Sequence, residues 1–102
     1  EGTDMIRHIV LYRLKESAAG REKAENARLM KEKLEALNGR IDGLHGLRVD
    51  PDCNARQFDL CLTADFDDLQ ALRHYKSHPL HVAASDFVHE VMAEPAGLGF
   101  EL

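Results

Sequence analysis

The sequence contains no tryptophan, two cysteines and three prolines among its 102 residues. Cys53 and Cys61 do not form a Cys-x-x-Cys motif, and one pair of cysteines is too few for a disulfide framework. We therefore expect reduced thiols in a cytoplasmic protein. Cys61 falls inside a predicted strand, where it would pack as a small apolar side chain.

Positive charge and long apolar runs are also scarce. Thirteen basic residues face 18 acidic ones, the net charge is -5, and no basic cluster is longer than a pair. Proteins that bind nucleic acid present a basic face to the phosphates, so we expect no nucleic-acid partner. The longest apolar run, residues 9–12, is far too short to cross a bilayer, and no signal-peptide pattern precedes it, so we expect no membrane partner.

The remaining pattern predicts one globular domain over residues 1–102, with 44% apolar residues to form its core. Four segments have the composition or the period-two alternation of strands: residues 5–15, 44–49, 58–66 and 97–102. Between them, apolar residues recur at the three- and four-residue steps of helices. These helical stripes follow residue 21 and lie on both sides of Pro79.

Several residues mark expected element ends. Ser17 is a candidate cap for the first helix, and Asp67 or Asp68 for the second. Asn38-Gly39 is a typical helix stop, and the composition of residues 50–54 indicates a turn. Glu94-Pro95 would end the last helix.

The order of elements predicts a ferredoxin-like α+β fold, βαββαβ, in which an antiparallel four-stranded sheet carries its helices on one face. The other face, which includes Ile9 and Leu11, would then be left in water. An apolar sheet face of that size is an interaction surface. A second copy related by two-fold symmetry would cover it, so we expect a homodimer, sheet against sheet.

One stretch, residues 75–81, combines a phenol and two imidazoles with a helix break. Pro79 interrupts one helix and suits the first turn of the next. His81 could act as a general base, and Tyr75 could donate a hydrogen bond to a developing enolate oxygen. His8 lies on the face of the first strand that could point to the same place. In the structural alternative, His78 caps a helix and His81 is hydrogen-bonded in a core.

The other titratable residues favour structural roles. The spacing of His74, His78 and His81 suits a metal site on one helix, but the break at Pro79 spoils that register, so we expect no metal. His45 and His89 have no partner visible in the sequence and are expected at the surface. The acidic residues near position 67 are explained by capping and by the helix dipole.

Three stretches resemble the stress-responsive A/B barrel domain family, also called dimeric α/β barrels: residues 5–14, 58–66 and 75–81. The histidine–proline segment is the most specific of them, and with the helix spacing the resemblance covers nearly the whole chain. It implies two ferredoxin-like subunits joined through their sheets into one barrel-like dimer.

The resemblance also bears on the site. A plant member of similar fold cyclises a linear polyketide by an aldol reaction without a cofactor, and its catalytic pair matches Tyr75 and His81. It has a histidine at the position of His8, and a further strand histidine where this sequence has Leu60. That departure leaves a less polar site, so the resemblance does not imply the complete cyclase activity.

Three functions follow as hypotheses. The first is a protein that binds a small hydrophobic molecule between sheet and helices, with His8 and His78 as further binding residues. The second is a cofactor-free cyclase or isomerase that uses His81 as base and Tyr75 as hydrogen-bond donor. The third, from fold analogy alone, is a cofactor-independent monooxygenase or a haem-degrading enzyme. We expect no bound cofactor.

Overall fold

The computed structural model describes residues 5–51, 58–93 and 98–101, which form six strands and three helices. The strands are β1 (Ile6–Tyr12), β2 (Ser17–Ala18), β3 (Arg21–Glu22), β4 (Leu44–Asp50), β5 (Leu60–Phe66) and β6 (Leu98–Glu101). The helices are α1 (Lys23–Glu35), α2 (Leu69–Ser77) and α3 (Pro79–Val91).

The four longer strands form one antiparallel sheet in the order β4-β5-β1-β6. Strand β1 pairs with β5 along its whole length, from Ile6 opposite Phe66 to Tyr12 opposite Leu60. The pairing of β4 with β5 shifts register between His45 and Arg48. This arrangement confirms the predicted ferredoxin-like α+β fold.

The core lies between the sheet and the helices. Alternate side chains of β5 are buried, as the period-two pattern predicted. Helix α1 adds one buried stripe, with Met30 and Leu34 at helical spacing, and α3 adds Val88 and Val91. The buried strand residues packed beneath these helices are Leu44, Leu47, Val49, Leu60, Leu62, Ala64 and Phe66.

The opposite face of the sheet carries a mixture of apolar and charged side chains. Ile9 stands opposite Thr63 and Leu11 opposite Cys61, and all four are partly exposed. We call these four residues, Ile9, Leu11, Cys61 and Thr63, the outer face. Beside them the Arg7 guanidinium donates two hydrogen bonds to the Asp65 carboxylate, at 2.8 and 3.2 Å.

The break between the last two helices is where the sequence placed it. Helix α2 ends at Ser77, and α3 begins at Pro79, which needs no hydrogen bond for its nitrogen at a helix start. At the start of α2 the Asp68 carboxylate accepts a hydrogen bond from the Ala71 N–H, 2.8 Å away, so Asp68 is the predicted cap.

Two expected ends were wrong. Ser17 does not cap α1: it pairs with Glu22 in a short ribbon of β2 and β3, and α1 begins after Glu22. The ribbon is held by the buried Asn26, whose amide donates to the Ala18 carbonyl oxygen at 3.0 Å. Helix α1 ends at Glu35, three residues before Asn38, because the N–H groups of Leu37 and Asn38 bond to carbonyl groups three residues back and not four.

The other predicted ends of strands and helices agree more closely with the structure. Strand β1 stops at Tyr12, and Leu14 continues only as an isolated bridge to Met92. The final strand, β6, lies within the predicted segment. Most of the predicted turn at residues 50–54, and the predicted helix end at residues 94–95, lie outside the described residues. None of the helices described is both long enough and apolar enough to cross a membrane.

Candidate functional site

The break at Pro79 brings an imidazole against a phenol. Tyr75 belongs to the last turn of α2 and His81 to the first turn of α3, and their ring centroids are 4.2 Å apart at an interplanar angle of 44°. A continuous helix would separate side chains six positions apart, so the contact depends on the restart of the helix.

Two strands extend this contact into a cluster. The Tyr75 ring packs on Phe66 of β5, with 4.9 Å between centroids, and His8 of β1 lies edge-on to Phe66 at 6.4 Å. Tyr75 is only 2% exposed and His8 only 9%. We call His8, Phe66, Tyr75 and His81 the aromatic cluster. It unites three of the four site residues that the sequence predicted.

Both tyrosines at this place are held in the neutral form. Burial raises the pKa of Tyr75 far above its ordinary value, and the neighbouring Tyr12 raises it further. Burial also raises the pKa of Tyr12, to about 12. Near neutral pH each side chain is therefore a phenol that can donate a hydrogen bond, not a phenolate.

The backbone determines which nitrogen of His81 is basic. Its Nδ1 lies 3.2 Å from the carbonyl oxygen of Lys76. A carbonyl oxygen only accepts hydrogen bonds, so Nδ1 carries the hydrogen and Nε2 keeps the lone pair in the neutral ring.

The pKa of His81 lies below its ordinary value. Burial of the ring is the main cause, and positive charge on His8, Lys76 and His78 acts in the same direction. The hydrogen bond to the Lys76 carbonyl partly opposes them. His81 is consequently neutral near pH 7 and available to accept a proton at Nε2.

His78, the fourth predicted site residue, caps α3. Its Nδ1 accepts a hydrogen bond from the Leu80 N–H at 3.1 Å, and its ring lies edge-on to His74 at 5.5 Å. This is the capping role of the structural alternative. Within residues 5–51, 58–93 and 98–101, no group of three or more His, Cys, Asp or Glu side chains could hold a metal ion.

The other residues considered from the sequence lie in ordinary local contacts. His45 is exposed but does have a partner, since its Nε2 lies 2.5 Å from Asp67 Oδ1. Leu60 is 1% exposed and belongs to the core. Phe66 and Tyr12 were not singled out beforehand. Their strand alternation, which places Tyr12 on the same face as His8, was the signal that could have identified them.

A four-stranded antiparallel sheet with helices on one face defines a ferredoxin-like α+β protein. Here the fold carries a histidine–tyrosine pair at a helix break. The profile of the family described as Stress responsive A/B Barrel Domain (Dabb) matches residues 6–96. The chain belongs to this family, which confirms the resemblance seen in the sequence. No curated protein matches it significantly.

Solved structures of similar fold are numerous. A dimeric protein of unknown function and ferredoxin-like fold from Bacteroides fragilis is 30% identical, with a TM-score of 0.79 and 96% of each chain covered. A dimeric ferredoxin-like protein from Thermobifida fusca is 24% identical, with a TM-score of 0.80 over 100% of this chain and 92% of that one. A hydroxynitrile lyase from Passiflora edulis is 12% identical, with a TM-score of 0.78 over 99% of this chain and 95% of that one.

Proposed function

We propose that the protein binds a small, mainly apolar carbonyl compound at the aromatic cluster. The observation that supports this most directly is the contact of Tyr75 with His81, in which a neutral phenol meets a neutral imidazole. The rings of Phe66 and Tyr75 are buried behind the partly exposed His81, and the polar atoms of Tyr75 and His81 could orient one oxygen of the ligand.

The same pair suits proton transfer. His81 Nε2 would take a proton from the carbon next to the carbonyl group, so that a C–H bond breaks and an N–H bond forms. The Tyr75 hydroxyl would donate a hydrogen bond to the oxygen as it becomes an enolate. His81 would then return the proton to carbon or to oxygen, which balances an isomerisation. In an aldol cyclisation the enolate carbon would instead attack a second carbonyl of the same molecule. A C–C bond would form as the C=O π bond breaks, and His81 would return its proton to the resulting alkoxide oxygen.

The Passiflora enzyme supports this proposal only in a general way. It is a lyase, so a chain of this fold can be an enzyme. The monooxygenase hypothesis stays an expectation from fold analogy, whereas the paired imidazole and phenol favour proton transfer.

The outer face supports the proposal of a homodimer. Helices cover one side of the sheet, whereas Ile9 and Leu11 remain partly exposed at the centre of the other. The Arg7–Asp65 ion pair beside them would lie near the rim of such an interface. The similar proteins from Bacteroides and Thermobifida are both described as dimeric.

Exchange of carbon-bound hydrogen in D₂O tests the chemistry. The probe is 1-phenylpropan-2-one, and NMR follows the loss of its methylene signal in the presence of the whole protein. We expect exchange above the buffer rate, falling by about 10²-fold or more in His81→Gln and also falling in Tyr75→Phe. His89→Gln, an exposed histidine of α3, should leave the rate unchanged.

A second measurement separates binding from chemistry. If amide signals of the aromatic cluster shift on titration but no exchange occurs, the protein binds carbonyl compounds without acting on them. If neither signals nor rate respond across a panel of hydrophobic ketones and diketones, the proposed site is wrong.

Light scattering after size exclusion tests the homodimer. We expect twice the chain mass for the unaltered protein and a shift toward monomer in Leu11→Glu, which places a charge on the outer face. Leu69→Glu is the matched control, since Leu69 is an exposed leucine of α2, 47% exposed and away from the sheet. A monomer at micromolar concentration, or equal effects of both variants, would contradict the interface.

A further inference from the structure

A concave site lies between the end of α1 and the start of α3. We call it the α1–α3 groove, lined by Lys33, Leu37, Arg40, Leu80, Ala83 and Ala84. Its volume is about 360 Å³, at the lower end of the range of about 300–1,000 Å³ found for ligand pockets. His8, Tyr75 and His81 do not line it, so it is distinct from the aromatic cluster.

The floor of the groove is apolar, and its small residues leave space unfilled between the two helices. Leu37 is buried at 4% exposure, and Leu80 stays 38% exposed on one side. Ala83 and Ala84 have only methyl groups to fill the space between. An alkyl chain could cover this surface and remove it from water.

Two cations stand at the edge of this floor. The Lys33 ammonium lies 5.2 Å from the centroid of the Phe87 ring, which holds it beside the junction of α1 and α3. Arg40 follows in the turn after α1. Neither is in an ion pair with any residue that the structure describes, and no acidic residue lines the groove. In a chain of net charge -5, this is a local positive site.

We propose that the α1–α3 groove binds a monocarboxylate with a medium alkyl chain, of about the size of octanoate. The chain would lie on Leu37 and Leu80, and the carboxylate would face Lys33 and Arg40. The volume suits one such chain and not a folded peptide segment. This site does not depend on the proposed function of the aromatic cluster.

Titration of the ¹⁵N-labelled whole protein with octanoate tests the site. We expect saturable shifts of backbone amides at Leu37, Ala83 and their neighbours, weaker binding of octanol, and no saturable shifts with acetate. The affinity for octanoate should fall as salt is added, since exposed charges are screened.

Three variants identify the groups responsible. Lys33→Gln and Arg40→Gln should each weaken octanoate binding by about two- to fivefold, as expected for exposed charges. Ala83→Leu should fill the groove and weaken binding more strongly. Ala83 is exposed, so this change leaves the core intact. The matched control is Arg73→Gln, which removes an exposed arginine of α2 outside the groove.

The outcomes are decisive in both directions. Saturable binding that Arg40→Gln and Ala83→Leu weaken and Arg73→Gln does not would establish the site. Shifts centred on His8 and His81, no saturable shift, or equal weakening by all variants would overturn it. Tyr75→Phe should bind octanoate normally even if carbonyl compounds no longer bind. The two proposals can therefore fail separately.

Discussion

The side chain of Asn38 forms two hydrogen bonds with the backbone of Leu47, as a neighbouring strand would. Its amide nitrogen donates to the Leu47 carbonyl oxygen at 2.9 Å, and its oxygen accepts from the Leu47 N–H at 2.8 Å. Farther along the strand, the Glu35 carboxylate accepts from the Val49 N–H at 2.9 Å, and Lys31 donates to the Val49 carbonyl oxygen at 2.7 Å. Strand β4 is an edge of the sheet, and these side chains occupy its open backbone groups.

Asn38→Ala tests this role. It removes both hydrogen bonds to Leu47, and we expect the free energy of unfolding to fall by about 1–3 kcal/mol, measured by urea denaturation. The protein should also aggregate more readily because the β4 edge can then pair with another chain. Glu32→Ala, an exposed change on α1 that removes only an ion pair with Arg28, should cost less than about 1 kcal/mol. Equal losses in both variants would contradict the edge argument.

Gly43, which precedes β4, and Gly46, which lies inside it, make a matched pair. Gly43 and Gly46 both have positive φ, +86° and +62°, where a side chain is strained. A Cβ at Gly43 would lie 2.6 Å from the Ala71 Cβ of α2, whereas a Cβ at Gly46 would meet nothing within 4 Å. Gly46→Ala should therefore cost about 1–2 kcal/mol, and Gly43→Ala a further 1–3 kcal/mol from overpacking, in the same denaturation assay. Similar costs for both would show that the loop moves away from α2.

The sequence identified the sheet because its alternation is local. From Leu60 to Phe66 the polarity of each side chain indicates whether it is buried, because alternate residues of a strand lie on opposite faces. Pro79 marks the helix break because its ring cannot fit inside a regular helix. Asn38 shows what such local patterns cannot predict. Asn-Gly suggested only a helix stop, whereas its actual partner, Leu47, depends on how α1 lies along β4.

The residues of the candidate site could be predicted from the sequence, but their protonation could not. Strand alternation and the helix break placed His8, Tyr75 and His81 as candidates. The tautomer of His81 depends on the Lys76 carbonyl, and the pKa of Tyr75 depends on burial, so neither follows from residue types. The contact of His45 with Asp67 was missed because it joins β4 to the residue after β5. The cytoplasmic location stays a prediction.

The Tyr75 ring packs in the core and its hydroxyl is the proposed hydrogen-bond donor to a ligand, and two substitutions separate these two roles. Tyr75→Phe keeps the packing on Phe66 and His81, so we expect little change in stability but weaker binding of carbonyl compounds. Tyr75→Ala leaves a cavity and should cost about 3–5 kcal/mol of unfolding free energy, measured by urea denaturation. A large loss of stability in Tyr75→Phe would instead show that the hydroxyl holds the fold together.

The depressed pKa of His81 predicts how stability changes with pH. In the unfolded chain the imidazole titrates near its ordinary value of 6.5, and in the folded protein it titrates lower. As pH falls below 6.5, the unfolded state binds a proton that the folded state still resists, so the free energy of unfolding decreases. The loss continues until the pH passes below the folded pKa, where both states are protonated and the contribution of His81 levels off. Well above pH 6.5, where the imidazole is neutral in both states, the full contribution is present.

Urea denaturation of the unaltered protein and of His81→Gln, at a series of pH values from neutral to mildly acidic, measures this contribution. His8, Lys76 and His78 act on His81 through their charge and remain in both proteins, so the difference between the two curves reports His81 together with its coupling to them. We expect that difference to change as the pH falls through 6.5 and to be constant well above it. Asp65, whose pKa Arg7 lowers from 3.8, titrates at more acidic pH. Its effect on stability is the same in both proteins and cancels in the difference. Parallel curves would mean that folding does not disfavour the charged imidazole, and His81 would then lack the environment that keeps it neutral as a base.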